Sequence, residues 1–155
     1  MKFFGKILSV FLAVTALSFG FVSCSDDEDD TVELKVVATY YGFASGEIDG
    51  IPMIVKSTVK FYNTNEYLID NDITAVAGAN VFSFTGTFEV GTYTGDPTKD
   101  GTVKCTATKE YDFDQKKLVD IAAADRTTED FVITNGKYTE SDIFDDGTGI
   151  TVEKK

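Results

Sequence analysis

The sequence predicts an all-β domain, on three observations. Apolar and polar side chains alternate with period two from residue 31 onward, no helical pattern of comparable length competes, and turn-forming pairs recur at short intervals. Residues 31–155 have the length of a single domain with its own core. Short antiparallel strands joined by short turns make a meander, and a meander must deal with its edges. Closure into a small β-barrel of about eight strands removes them, while a β-sandwich fits the same alternation.

In the stretch 32–41, Val32, Leu34, Val36, Ala38 and Tyr40 share one face, opposite Glu33, Lys35 and Thr39. Residues 42–52, with Gly42 and Pro52, read as a loop whose Phe43 and Ile48 cover one end of the domain. The stretch 53–62 repeats the strand design, with Met53, Val55, Val59 and Phe61 against Lys56, Thr58 and Lys60. Asn63-Thr64-Asn65 is a turn, 66–70 a short strand, and 73–77 either a strand or one helical turn. The longest strand is 81–94, with Phe82, Phe84, Gly86, Phe88 and Val90 on one face and Gly86 and Gly91 allowing it to bend.

Residues 95–101 form a loop by composition. In 102–111, Val103, Cys105 and Ala107 point inward and Lys104, Thr106, Thr108 and Glu110 outward. A turn at 112–117 leads to a strand at 118–123. Asn135-Gly136, between the β-prone runs of 131–138, predicts a type I′ hairpin turn. A loop at 145–149 and a strand at 150–153 follow.

Ahead of this domain, Lys2 and Lys6 precede an apolar run over 7–22, and the small Ser23 stands just before Cys24. That is the layout of an export signal over residues 1–23. The Ser23-Cys24 junction resembles the lipobox of bacterial lipoproteins, which implies lipidation of Cys24 and anchorage to a membrane. Residues 24–30 carry five consecutive acids, Asp26, Asp27, Glu28, Asp29 and Asp30, a self-repelling block that stays extended as a tether. Ser25, Asp26, Asp27, Glu28 and Asp29 resemble the signal that exports Bacteroidetes lipoproteins to the cell exterior, which implies an outer-membrane, outward-facing location. Asp30-Thr31-Val32 resembles the O-glycosylation motif of such bacteria.

Without residues 1–23, 132 residues remain, with 12 basic and 26 acidic side chains and a formal charge of −14. A nucleic-acid partner is excluded, because phosphates need a basic face; a cationic partner is permitted. A lipidated Cys24 leaves Cys105 without a partner for a disulfide, and its place among Val103 and Ala107 makes it a small buried hydrophobe.

No histidine occurs, which excludes His-dependent triads, imidazole metal sites and a His general base. Asp142 to Glu153 has acids spaced partly as in a calcium hand, but Phe144 and Gly149 occupy ligand positions, so it reads as a solvated turn. Asp96 with Asp100, and Asp112 with Asp114, read as polar turns. No catalytic pair, cofactor or metal site is expected, and the protein is not expected to be an enzyme. The aromatic residues Tyr40, Phe61, Phe82, Phe84, Phe88 and Tyr93 are expected to line a ligand cavity or fill a core, with Tyr41, Tyr62 and Tyr67 on the solvent side.

Residues 82–108, FSFTGTFEVGTYTGDPTKDGTVKCTAT, and 131–139, FVITNGKYT, resemble the lipocalin-like (calycin-type) lipoproteins of Bacteroidetes. The resemblance implies a barrel and a non-enzymatic, surface-anchored binding module for a small apolar or glycan ligand. The charge suggests as an alternative a protein-interaction module that captures a cationic partner such as a lysozyme. A structural or adhesion subunit is the third expectation.

Overall fold

The computed structural model describes residues 33–140 and 143–155. The expectations for residues 1–23, Cys24, the export signal at 25–29, Thr31 and Asp142 lie outside the described residues. Among those described there are nine strands: β1 (Val36–Ile48), β2 (Ile51–Tyr62), β3 (Glu66–Ala77), β4 (Asn80–Thr94), β5 (Gly101–Asp112), β6 (Lys117–Asp120), β7 (Thr128–Ile133), β8 (Lys137–Glu140) and β9 (Ile150–Lys154). All belong to one antiparallel sheet in the order β6-β5-β4-β3-β2-β1-β9-β8, and β7 joins β5 alongside β6.

The sheet curls so far that its ends face each other. Five ladders separate β7 from β1, yet the rings of Phe131 on β7 and Tyr40 on β1 lie 5.4 Å apart. Phe61 on β2 touches Phe131 at 5.5 Å and Tyr93 on β4 at 5.0 Å, both edge to face. Around them pack Val55, Val59, Val103, Ile133, Ile150 and Val152, all buried. Burying an aromatic ring of this size contributes up to ~3 kcal/mol, so this aromatic knot is a large stabilising contribution to the fold. The ladder is nevertheless open between β7 and β8, which pair only through the isolated bridge Thr134↔Lys137 among the described residues.

The loop expected over 42–52 is a correction. β1 runs on to Ile48, and the turn is only Asp49-Gly50, both at positive φ (52° and 72°) as a two-residue type I′ hairpin requires. Gly42 is small for a different reason: a Cβ there would stand 2.1 Å from the carbonyl oxygen of Thr151. The ambiguous 73–77 is strand, the end of β3, and the strand expected at 118–123 shrinks to β6. Asn135-Gly136 forms the expected turn, with φ of 52° and 70°.

Two bulges set which face each side chain takes. Between β3 and β4 the register passes from Ile69↔Glu89 to Asp70↔Thr87, so one extra residue, Phe88, sits in β4. Strict alternation would place Phe88 and Tyr93 on opposite faces. The bulge instead lets Phe82 and Phe84, opposite buried Ala75 and Ile73, share the inner face with Glu89, Gly91 and Tyr93. Val90, expected inside, pairs with outward Lys109. A second bulge, between Val90↔Lys109 and Gly91↔Ala107, puts Glu110 opposite Glu89 and corrects its expected outward place. Tyr67, expected on the solvent side, is buried, because its partner Gly91 leaves room for its ring.

Candidate functional site

The inner face of β4 divides the sequence-derived aromatic residues into two groups. Tyr40, Phe61 and Tyr93 belong to the aromatic knot; Tyr40 and Phe61 are 0 % exposed. The Tyr40 hydroxyl donates to the carbonyl of Pro97 at 2.8 Å and that of Tyr93 to the carbonyl of Tyr62 at 2.8 Å. These three rings are core, with their polar ends satisfied.

Phe82, Phe84 and Phe88 lie toward the β3–β4 turn and are only half-buried. Phe84 is the hub of a second ring cluster. It contacts Tyr111 at 4.6 Å, Phe113 at 5.3 Å and Phe88 at 6.5 Å, and Tyr111 meets Phe113 at 5.0 Å. Tyr111 and Phe113 were not singled out by the sequence, because they close a strand and open a turn rather than continue an alternating run. The ring of Phe84 also reaches over Gly86, 3.7 Å from where a Cβ would stand. Directly across from Gly86 is Asn71, whose Oδ1 is buried with no hydrogen-bond partner. An unmatched buried acceptor beside a half-open ring cluster is uncommon in a native fold.

Between the two ring clusters the inner face is acidic. The Tyr67 hydroxyl donates to Glu89 Oε1 at 2.6 Å. Burial pushes the Glu89 carboxyl up to about 7 and outweighs that hydrogen bond, and the charges of Glu129, Glu140 and Glu110 push the same way. Register shows why these acids converge. Glu110 pairs with Glu89, Glu129 with Cys105, itself opposite buried Tyr93, and Glu140 with buried Ile150, so all four carboxylates point inward. Burial likewise raises Tyr67 and Tyr138, and partial desolvation followed by the charge of Glu129 raises Glu140, whose side chain still reaches solvent. The Cys105 thiol, pushed up to about 12 by burial first and then by Glu89 and Glu129, stays protonated and is no nucleophile. Glu129 and Glu140 were legible in principle, since they alternate with Phe131 and Tyr138; Glu89 and Glu110 were hidden by the bulges.

The other acids noted in the sequence serve the backbone. Asp96 accepts from Thr98, Asp112 from the amides of Asp114 and Gln115, and Asp100 from the amides of Asn135 and Gly136. Asp145 takes the amides of Asp49 and Gly50, which pins the β8–β9 loop to the β1–β2 turn, where Phe144 packs on Gly46. On the outer face, lysines answer acids in the pairs Lys56–Asp72, Lys60–Asp70, Lys104–Asp130 and Lys137–Glu153. Also on the outer face, Phe43 and Val81 are each 67 % exposed, near a shallow groove that includes Ser45, Ile54, Thr74 and Val76.

Compared with protein-family models, with curated proteins and with solved structures, the chain matches none.

Proposed function

We propose that the chain is a non-enzymatic binding module, a lipocalin-like barrel held at the cell surface by a lipidated Cys24 and its acidic tether. Its ligand is a small molecule with an apolar or ring-like body and an N–H or O–H donor. The observation that carries this reading is the half-open cluster of Phe84, Phe88, Tyr111 and Phe113 beside the unpartnered Oδ1 of Asn71. The rings offer a surface for an apolar body or the face of a sugar, and Asn71 offers an acceptor that fixes its orientation. The tether suits this arrangement. Asn63, in the β2–β3 turn, holds the carbonyl of Glu33, so the N-terminal segment leaves at the opposite end of β4 from Phe84. A domain anchored there presents the ring cluster away from the membrane.

The probe N-phenyl-1-naphthylamine has both an apolar ring system and one N–H donor. On the chain from Cys24 onward, with Cys24 replaced by Ser, its fluorescence is expected to rise and saturate. Phe84→Ser and Asn71→Leu are each expected to weaken binding about tenfold, the effect of one lost hydrogen bond or ring contact. Absence of saturable binding, or binding that neither substitution changes, would overturn the reading.

Capture of a cationic partner is the second reading. The four inward carboxylates of Glu89, Glu110, Glu129 and Glu140 favour it, with a group such as a lysine side chain reaching into the curl. Such binding would fall steeply as salt is raised, whereas binding of the neutral probe would not.

A further inference from the structure

We propose that the chain pairs with a second copy of itself along the open edge of β4, residues 80–88, as antiparallel strands related by a twofold axis at Phe84. β4 is paired with β3 from Asn80 to Thr92, but with β5 only from Glu89 to Thr94. At Glu110 β5 parts from β4, and its last residues pair with β6 instead. The β3–β4 turn shows which backbone groups this leaves bare. Gly78 and Ala79 form a two-residue turn with Gly78 at a φ of 61°, so Ala77 and Asn80 are its hydrogen-bonded closing pair. Alternation then turns Asn80, Phe82, Phe84 and Gly86 toward β3 and aims the N–H and C=O of Val81, Ser83, Thr85 and Thr87 at the open side. Among the described residues, no backbone partner on that side meets any of these four. Val81, Ser83 and Thr85 are also exposed to solvent. A row of donors and acceptors at this spacing is matched by another extended strand.

Charge and side-chain fit name a second copy as that strand. Residues 80–88, NVFSFTGTF, hold no charged residue and no proline, although the chain carries a formal charge of −12. The edges of β6, β7 and β8 are short and charged, with Lys117 and Asp120, Glu129 and Asp130, and Lys137 and Glu140. Such features keep an edge from pairing, and β4 has none of them. Two copies of an acidic chain can therefore meet here with no like charges opposite one another. The stretch is also complementary to itself. With Phe84 on the axis, all four outward-aimed residues find partners: Val81 faces the partner's Thr87, and Ser83 faces the partner's Thr85. On the inner side Phe82 lies across from the partner's Gly86 and covers the backbone that a glycine leaves bare. Phe84 stands beside its own counterpart, which adds a ring contact to each half-buried cluster. The edge borders the ring cluster, but the pairing concerns the protein without ligand and does not rest on the ligand reading.

Sedimentation velocity on the chain from Cys24 onward, with Cys24 replaced by Ser, tests this directly. In about 0.15 M salt the chain is expected to pass from monomer to dimer as its concentration rises, half-associated at about 100 μM, as suits an interface smaller than the standard size. Over the same range, amide exchange followed by NMR should slow at Ser83 and Thr85 and stay constant at Val55 and Val59, which lie within central β2. Ser83→Pro removes an N–H that has no neighbour within the chain, so it should abolish the dimer while leaving the urea unfolding midpoint nearly unchanged. Val81→Glu, at an exposed position, places an acid on the edge of each copy and should weaken association about tenfold, because the twofold axis counts the substitution twice. It carries the same test should Ser83→Pro fail to fold. A monomer at all concentrations up to about 1 mM, or a dimer that survives the substitutions, would overturn the proposal.

Discussion

Two clusters of rings meet the inner face of one strand, at Phe84 and at Tyr93, and they have opposite characters. At the Tyr93 end, β1, β7 and β9 close over the sheet, Phe131 and Phe61 meet Tyr40 and Tyr93 edge to face, and the hydroxyls of Tyr40 and Tyr93 have partners. At the Phe84 end, β4 and β5 outrun the short strands that would cover them, the rings stay half-buried, and the Oδ1 of Asn71 lacks a partner. β4 alone is 15 residues and so roughly 50 Å long, whereas β8 has 4 residues. Coverage, rather than residue type, decides which rings are core. The same phenylalanine stabilises the fold where three strands enclose it and stays available where one edge is open.

The sharpest way to break this contrast is to truncate a ring at each end. Phe61→Ala is expected to cost about 4 kcal/mol in urea unfolding, the price of a fully enclosed cavity. Phe84→Ala should cost about 1–2 kcal/mol, since its ring is already half in solvent. Equal losses would show that both clusters are one core.

The acidic stretch between them gives a pH test. A carboxyl at about 7 in the folded chain against 4.5 ordinarily means that the folded state binds more protons between those values. Stability therefore rises as the pH falls from above 7 toward 4.5, by up to ~3 kcal/mol from Glu89. Below that range the sign reverses. Asp96, Asp100, Asp112 and Asp146 are held below the usual carboxylate range by the hydrogen bonds they accept, and their protonation removes that stabilisation. Unfolding midpoints across pH should peak between about pH 4 and 5. Glu89→Gln should flatten the rise from neutral pH without moving the fall in acid.

A smaller effect sharpens the boundary. Gly91 lies where β5 passes closest, and a Cβ there would meet the carbonyl oxygen of Thr106 at 2.2 Å and the Tyr67 ring at 2.6 Å. Gly91→Ala is expected to destabilise by about 2 kcal/mol by forcing these apart. Removing an outer-face pair with Lys104→Ala should change stability by less than about 0.5 kcal/mol, because Lys104 and Asp130 are both largely exposed.

Much of this was legible along the chain. The alternation of Met53, Val55, Val59 and Phe61 marked the inward side of β2, and Asn135-Gly136 marked the hairpin turn between β7 and β8, because both signals are local. The end of β1 misled, because Gly42 and Pro52 look like loop residues when read alone. Gly42 in fact answers a close approach by β9, from more than a hundred residues later. Alternation also misplaced Val90 and Glu110, since a bulge exists only between two strands and leaves no mark on either one.

The sequence by itself therefore determined that the domain is all-β and antiparallel, where most of its turns fall, and that it is strongly acidic; each depends on residues near one another in the chain. Only the tertiary structure decided that five ladders of curl bring Phe131 onto Tyr40, that the bulges turn Glu89 and Glu110 to the inner face that Glu129 and Glu140 share, and that the Phe84 cluster stays half-open. Those outcomes depend on the register and relative length of strands far apart in sequence, and that information resides in their pairing rather than in any one segment.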